Sequence, residues 1–257
     1  MTVTLAATYN PRGEIGRLQR LYSQLQAVYE HIVISLPPWT TGDEIAVMGA
    51  LRCAHIHVNA EWSHGRYMAL KAALETEANF IHYVDMDRLL RWVETRPDEW
   101  RGTVSAMQEA EYTVIGRTAA AYQTHPQALI QTEQISNAVV SHLVGQAMDV
   151  SAGAKGFSRR ATEFLVANTQ PGRALGADGE WTVLLHRAGF KVNYVEVDGL
   201  DWESADRYQE QAADGNRQRR LAEEYDMQAE NWAARVQVAL EITQAALDAV
   251  QRRLVEV

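Results

Sequence analysis

Short apolar runs alternate with stretches of helical spacing from the start of the chain to about Val197. Val3 to Thr8 reads as a strand, Tyr9-Asn10-Pro11-Arg12-Gly13 as a turn, and Glu14 to Tyr29 as a helix with Ile15, Leu18, Leu21, Leu25 and Val28 on one face. His31 to Leu36 is a second strand, stopped by Pro37-Pro38, and Ala54 to Val58 a third; a helix from Arg66 to Thr76 then leads to a fourth run, Phe80 to Asp85. Beyond it the pattern predicts a helix over Pro97 to Ala110, a strand at Tyr112 to Gly116 and a helix over Glu133 to Ala147. Asp149 to Phe157 reads as a small-residue loop followed by a helix; after a second loop, Gly176 to Glu180, come a helix to Ala188 and a last strand, Val192 to Val197. Strands alternating with helices in this way predict βαβ units and an α/β fold with a mainly parallel sheet.

From about Asp206 the chain becomes polar, poor in strand formers and helical in pattern. Val236, Leu240, Thr243, Leu247, Val250 and Leu254 recur at alternating steps of four and three, a heptad seam. Such a helix either packs on the parent domain or pairs two chains into a homodimer. The division expected is residues 1–205 as one domain, with halves 1–90 and 91–205, and 206–257 as a helical C-terminal extension.

At 257 residues and 47% hydrophobic content the chain buries a core without staples. No apolar run approaches the roughly 18 residues of a membrane span, and the N-terminus lacks the basic leader of a signal peptide, so the expectation is a cytoplasmic protein with no transmembrane segment. Cys53, the single cysteine, rules out an internal disulfide and reads as a buried, inert thiol. The net charge of −9 argues against nucleic acid as a partner. Any anionic ligand must be met locally, by a cation or a few arginines.

The run Phe80-Ile81-His82-Tyr83-Val84 ends abruptly in Asp85-Met86-Asp87. Two carboxylates at the end of a buried strand can hold a divalent cation, and hard oxygen donors favour Mg²⁺ or Mn²⁺ over zinc. Because open α/β sheets bind ligands at the carboxyl ends of their strands, Tyr9-Asn10 and Asp85-Asp87 are expected to share one crevice.

In their order, the strand and turn from Val3 to Asn10, the segment Gly65-Arg66-Tyr67-Met68-Ala69-Leu70, and the Asp85-Met86-Asp87 strand end resemble the nucleotide-binding half of GT-A-fold glycosyltransferases. The likeness is nearest to the family that includes dolichol-phosphate-mannose synthases and polysaccharide synthases. Gly116-Arg117 and Asp149-x-Ser-x-Gly, before Lys155-Gly156-Phe157, extend it towards Val197. The resemblance implies a metal-dependent transfer of a sugar, a hexose by family habit, from a UDP- or GDP-sugar to an unidentified small acceptor. It implies that Asp85 and Asp87 hold the metal, with Asp85 also near the donor. Thr8, Tyr9 and Asn10 would line the base, Arg66 would lie beside base or ribose, and the loop carrying Gly153 and Lys155 would face the donor sugar and acceptor.

Family members carry a Glu-Asp pair whose aspartate serves as base; counting back from Gly189, it falls on Asp178, with Ala177 in place of the glutamate. Asp178 is thus the first candidate base and Glu180 the second, while Asp201 or Glu203 stands in for a late metal ligand. Trp202, between them, is a candidate for sugar stacking as well as for packing. Three other readings use the same residues. A haloacid-dehalogenase phosphatase would employ Asp85 as nucleophile, a nucleotidyltransferase shares the metal-diphosphate logic, and a scaffold protein of this fold would carry the acids idly.

Overall fold

The computed structural model describes residues 2–255. Among these residues seven strands form one sheet: β1 Val3–Thr8, β2 His31–Leu36, β3 Ala54–Val58, β4 Phe80–Val84, β5 Tyr112–Arg117, β6 Ala154–Ser158 and β7 Val192–Val197. Their order is β3-β2-β1-β4-β6-β5-β7, with β6 antiparallel to both neighbours and every other pairing parallel. The fold is therefore mixed and mainly parallel, as the alternating pattern predicts. The chain leaves β1 towards β2 and β3, then returns to β1's other side as β4. That reversal opens a crevice at the carboxyl ends of β1 and β4, where Thr8 and Asp85 lie.

The helices are α1 Ile15–Gln26, α2 Gly42–Gly49, α3 Gly65–Ala73, α4 Met86–Thr95, α5 Pro97–Ala106, α6 Ala119–Tyr122, α7 Gln127–Val144, α8 Arg159–Asn168, α9 Ala177–Arg187, α10 Gly215–Asp226 and α11 Ala229–Gln251. Side chains alternate across each strand, so β1 sends Leu5 and Ala7 into one core and Ala6 into another. The first core is closed by Leu18, Leu25, Leu89, Trp92 and Trp100 of α1, α4 and α5. The second gathers Tyr83, Tyr112, Phe157, Trp181 and Leu184, together with Ala246 and Ala249 of α11.

Two expectations are corrected, for β6 and Cys53, and two features are added, α4 and the orientation of α11. The stretch read as a loop up to Phe157 contains β6, a buried strand held between β4 and β5; its composition, Ala-Lys-Gly-Phe-Ser, hides the strand because the sheet on both sides supplies the burial. A helix not anticipated, α4, starts immediately after Asp85, so the acid pair sits on a strand-to-helix junction. Cys53 is exposed, at a left-handed φ of 63° in the turn before β3. The heptad seam of α11 faces outward from Val236 to Val250, while Ala239, Ile242, Ala245, Ala246 and Ala249 pack against the parent fold.

That small-residue face exists because α9 approaches very closely. A Cβ added at Gly179 would lie 2.6 Å from the carbonyl of Ile242 and 3.1 Å from the Ala246 methyl. Gly179→Leu is accordingly expected to destabilise the protein by about 2 kcal/mol through overpacking, read as a lower urea midpoint at unchanged slope. An unaltered midpoint would contradict the close α9–α11 packing.

Candidate active site

The cleft at the ends of β1, β2 and β4 has a volume of about 240 Å³ and is lined by Thr8, Tyr9, Asn10, Arg12, Ser35, Asn59, Trp62, Arg66, Asp85, Asp87, Arg88 and Glu203, among others. Asp85 is fixed by three donors. Its Oδ1 accepts from the Thr8 hydroxyl at 2.6 Å and the Tyr83 hydroxyl at 2.8 Å, and its Oδ2 accepts from Arg66 at 3.1 Å. Gly153, at a left-handed φ of 69°, closes over this carboxylate, and a Cβ there would stand 3.0 Å from Asp85 Oδ2.

Asp87, the second residue of α4, pairs with Arg12 at 2.7 Å. Burial, reinforced by the Glu203 and Asp85 carboxylates and opposed by Arg12, raises its carboxyl to about 6. Arg88 bridges the acids, with Nε 3.9 Å from Asp85 and 3.7 Å from Glu203, and also donates to the Ala152 carbonyl. The sequence gives no hint that Arg12 belongs here, since it reads as an ordinary turn residue. Its backbone is held by the amide of Tyr208, which reaches the Arg12 carbonyl at 2.9 Å.

Beneath the cleft lies a buried lattice of charge. Arg66, on α3, extends its other nitrogen to Asp178 at 2.6 Å, and Lys155, on β6, reaches the same carboxylate at 2.5 Å. Burial works against ionising Asp178, yet Arg66 and then Lys155 outweigh it and hold the carboxyl down at about 2. Asp178 and Lys155 are thus placed under the floor and do not line the cleft. Glu180, two residues on, points elsewhere, towards Arg252 at 2.7 Å and Arg173 at 3.5 Å in a separate cavity.

Thr8, Tyr9, Asn10, Arg66, Asp85 and Asp87 therefore come together in one cleft, with Gly153 against it. Of the two late acids, Glu203 lines the cleft, whereas Asp201 is clamped by Arg91 at 2.6 and 2.8 Å. Trp202 is buried in a small cluster with its ring edge-on to Tyr225, so packing is its role. The cleft has two aromatic residues, buried Tyr9 and half-exposed Trp62. Ser35 and Asn59 were missed as well: Asn59 donates to the Ser35 hydroxyl at 2.8 Å, and Ser35 to the Gly65 carbonyl at 2.9 Å, tying β2 and β3 to the start of α3.

No protein-family model matches the chain, and no curated protein matches it in sequence. Solved structures do match. Glucosyl-3-phosphoglycerate synthase from Mycobacterium tuberculosis, in complex with Mn²⁺, uridine-diphosphate-glucose and phosphoglyceric acid, superposes with a TM-score of 0.53 at 13% identity, over 98% of this chain and 80% of that one. Another crystal structure of that synthase gives 0.52 at 14% identity, over 98% and 81%. The chain has a GT-A-like fold. In this fold the acid pair stands at the reversal of strand order.

Within this GT-A-like cleft the donor set suits a hard cation. Among the described residues no three His, Cys, Asp or Glu groups form a ready-made cage, but two carboxylates suffice where substrate phosphates and water complete the shell of Mg²⁺ or a similar ion. Burial first, and then the neighbouring Glu203 and Asp85 carboxylates, raise the Asp87 carboxyl, an electrostatic demand that a cation would meet.

The lattice below generates its own prediction. Because Asp178 is depressed to about 2 in the fold, its contribution is fully present above the ordinary carboxylate range and is lost as pH falls through about 2. Asp178→Asn leaves two buried cations short of their partner and is expected to cost about 3 kcal/mol at neutral pH. The gap to the parent protein should close between about pH 4 and pH 2 in denaturant titrations. A gap that persists unchanged at acid pH would contradict the pairing.

Proposed function

We propose that this chain is a metal-dependent glycosyltransferase that moves a sugar from a nucleotide-diphosphate sugar to a small acceptor. The observation that carries the reading is the meeting of Asp85 and Asp87 in a cleft at the switch point of the sheet, ringed by Arg12, Arg66 and Arg88. Asp85 and Asp87 would hold Mn²⁺ or Mg²⁺. A cation there offsets the negative charge that builds on the departing diphosphate.

The chain's own groups do the remainder. Thr8, Tyr83 and Arg66 fix the orientation of Asp85 before any ligand arrives, so its remaining acceptor site on Oδ2 needs no reorganisation. Arg12 pairs with Asp87, and with a cation on that carboxylate its guanidinium would be the rim group available to phosphate oxygens. Tyr9, Asn10, Asn59 and Trp62 supply the apolar face and amide groups that suit a nucleoside. Gly153 lets backbone pass over Asp85 where a side chain would crowd the Asp85 carboxylate and Arg88.

Asp178, clamped by Arg66 and Lys155 below the floor, is better suited to positioning Arg66 than to accepting a proton. The solved synthase of the same fold carries phosphoglyceric acid, which supports screening small hydroxy acids first as acceptors. Among the described residues no helix is long and apolar enough to cross a membrane, and a small acceptor agrees with that.

Ligand-linked stability tests the reading, because a ligand at a hundred times its Kd raises stability by about 2.7 kcal/mol. UDP or GDP with Mn²⁺ is expected to raise the melting temperature well beyond either alone, and Asp87→Ala should abolish the Mn²⁺-dependent part. Equal shifts in the parent and Asp87→Ala proteins would refute the metal assignment.

A further inference from the structure

Among the described residues β3 is an outermost strand of the sheet, paired in parallel with β2. The register sets Val33 beside His55 and Ser35 beside His57. Because side chains alternate along a strand, His31, His55 and His57 all project from the same face of this strand pair. On that face Val33 joins Ala69, Leu70 and Ala73 of α3 in a buried core. His55, one strand further out, is exposed, while His31 and His57 are part-buried.

Two of these rings meet. His31 Nδ1 lies 3.2 Å from His55 Nε2, with the ring centroids 5.3 Å apart and the planes inclined at 53°. One imidazole can donate to the other at this distance, and the same separation suits two nitrogens on one ion. Zinc holds imidazole nitrogen at about 2.0–2.1 Å, so two nitrogens at corners of its tetrahedron stand about 3.3 Å apart. The strand register thus delivers the spacing, and only the ring tilt is left to adjust.

The protonation state agrees. Partial burial first, and then His31 and His57, push the His55 imidazole below its ordinary range, with Glu75 opposing them. His55 is therefore neutral at pH 7, and neutral imidazole is the form that binds a metal. Among the described residues no third His, Cys, Asp or Glu completes a cage, so water takes the remaining positions, as it does the open position of a catalytic zinc.

We propose that His31 and His55 form a binding site for a borderline divalent transition ion, Zn²⁺ or Ni²⁺, at the outer edge of the sheet. It differs from the cleft in chemistry, since imidazole suits zinc and nickel whereas the Asp85 and Asp87 carboxylates suit Mg²⁺ or Mn²⁺. It differs in place as well: His31 opens β2 and His55 is the second residue of β3, whereas the cleft lies at the carboxyl ends of the strands. An ion there joins the edge strand to its neighbour. That strand leads directly to Asn59 and Trp62 of the cleft wall. The proposal does not depend on the transferase reading and is tested without substrate.

Calorimetric titration with Zn²⁺ in excess Mg²⁺ is expected to reveal a site in the parent protein that His31→Gln and His55→Gln each weaken by at least about tenfold, the loss of one arm of a two-point attachment. His142→Gln, at an exposed histidine on α7, should leave that site unchanged. In proton–nitrogen spectra of the histidine rings, Zn²⁺ should shift the His31 and His55 signals together at the same concentration. A parent protein without a zinc site, equal affinity in the parent, His31→Gln and His55→Gln proteins, equal weakening by His142→Gln, or His31 and His55 signals that do not respond to Zn²⁺ would overturn the proposal.

Discussion

Arg66 is tied at both ends, to Asp85 at 3.1 Å above and to Asp178 at 2.6 Å below, and the organisation of the cleft depends on that double attachment. The side chain stems from α3, Asp85 ends β4, Asp178 opens α9, and Lys155 reaches in from β6. One buried charge lattice thus links four elements from both halves of the sheet. Buried charges are tolerated only when paired, so the position of each member is dictated by the others. Consequently the Asp85 carboxylate meets the cleft in a set orientation, with Thr8 and Tyr83 completing its shell.

The rim of the cleft is held differently. Arg12 and Arg88 face Asp87, Asp85 and Glu203 with partial exposure and, for Arg88, longer separations. A fixed floor under an exchangeable rim suits the proposed ligands, a doubly charged diphosphate and a cation bound together. The floor supplies preorganisation, and the rim supplies charge that can change partners without disturbing the core.

Much of this was legible in the sequence, and the limits have physical causes. Apolar runs ending in turn residues located β1 to β5 and β7, and the abrupt step from Val84 to Asp85 located the acid pair, because a strand cannot bury two unpaired carboxylates. β6 escaped notice because Gly156 and Lys155 are poor strand formers on their own; Lys155 is buried only because Asp178 neutralises it. For the same reason the family resemblance, counted back from Gly189, could single out Asp178, but its two cationic partners, distant in sequence, could not be foreseen. On α11 the heptad period was legible but its face was not: Gly176 and Gly179 let the alanine face approach α9, leaving the larger residues outside.

The central claim is that the switch-point acids receive a cation and a nucleotide diphosphate while the lattice below stays in place. A crystal structure with Mn²⁺ and UDP tests it most directly. The account predicts an anomalous manganese peak between Asp85 and Asp87, Arg12 turned from Asp87 to the phosphates, and Arg66 still joined to both aspartates. Manganese bound elsewhere, or UDP seated in the cleft with Arg12 still on Asp87 and no metal at the acids, would contradict it.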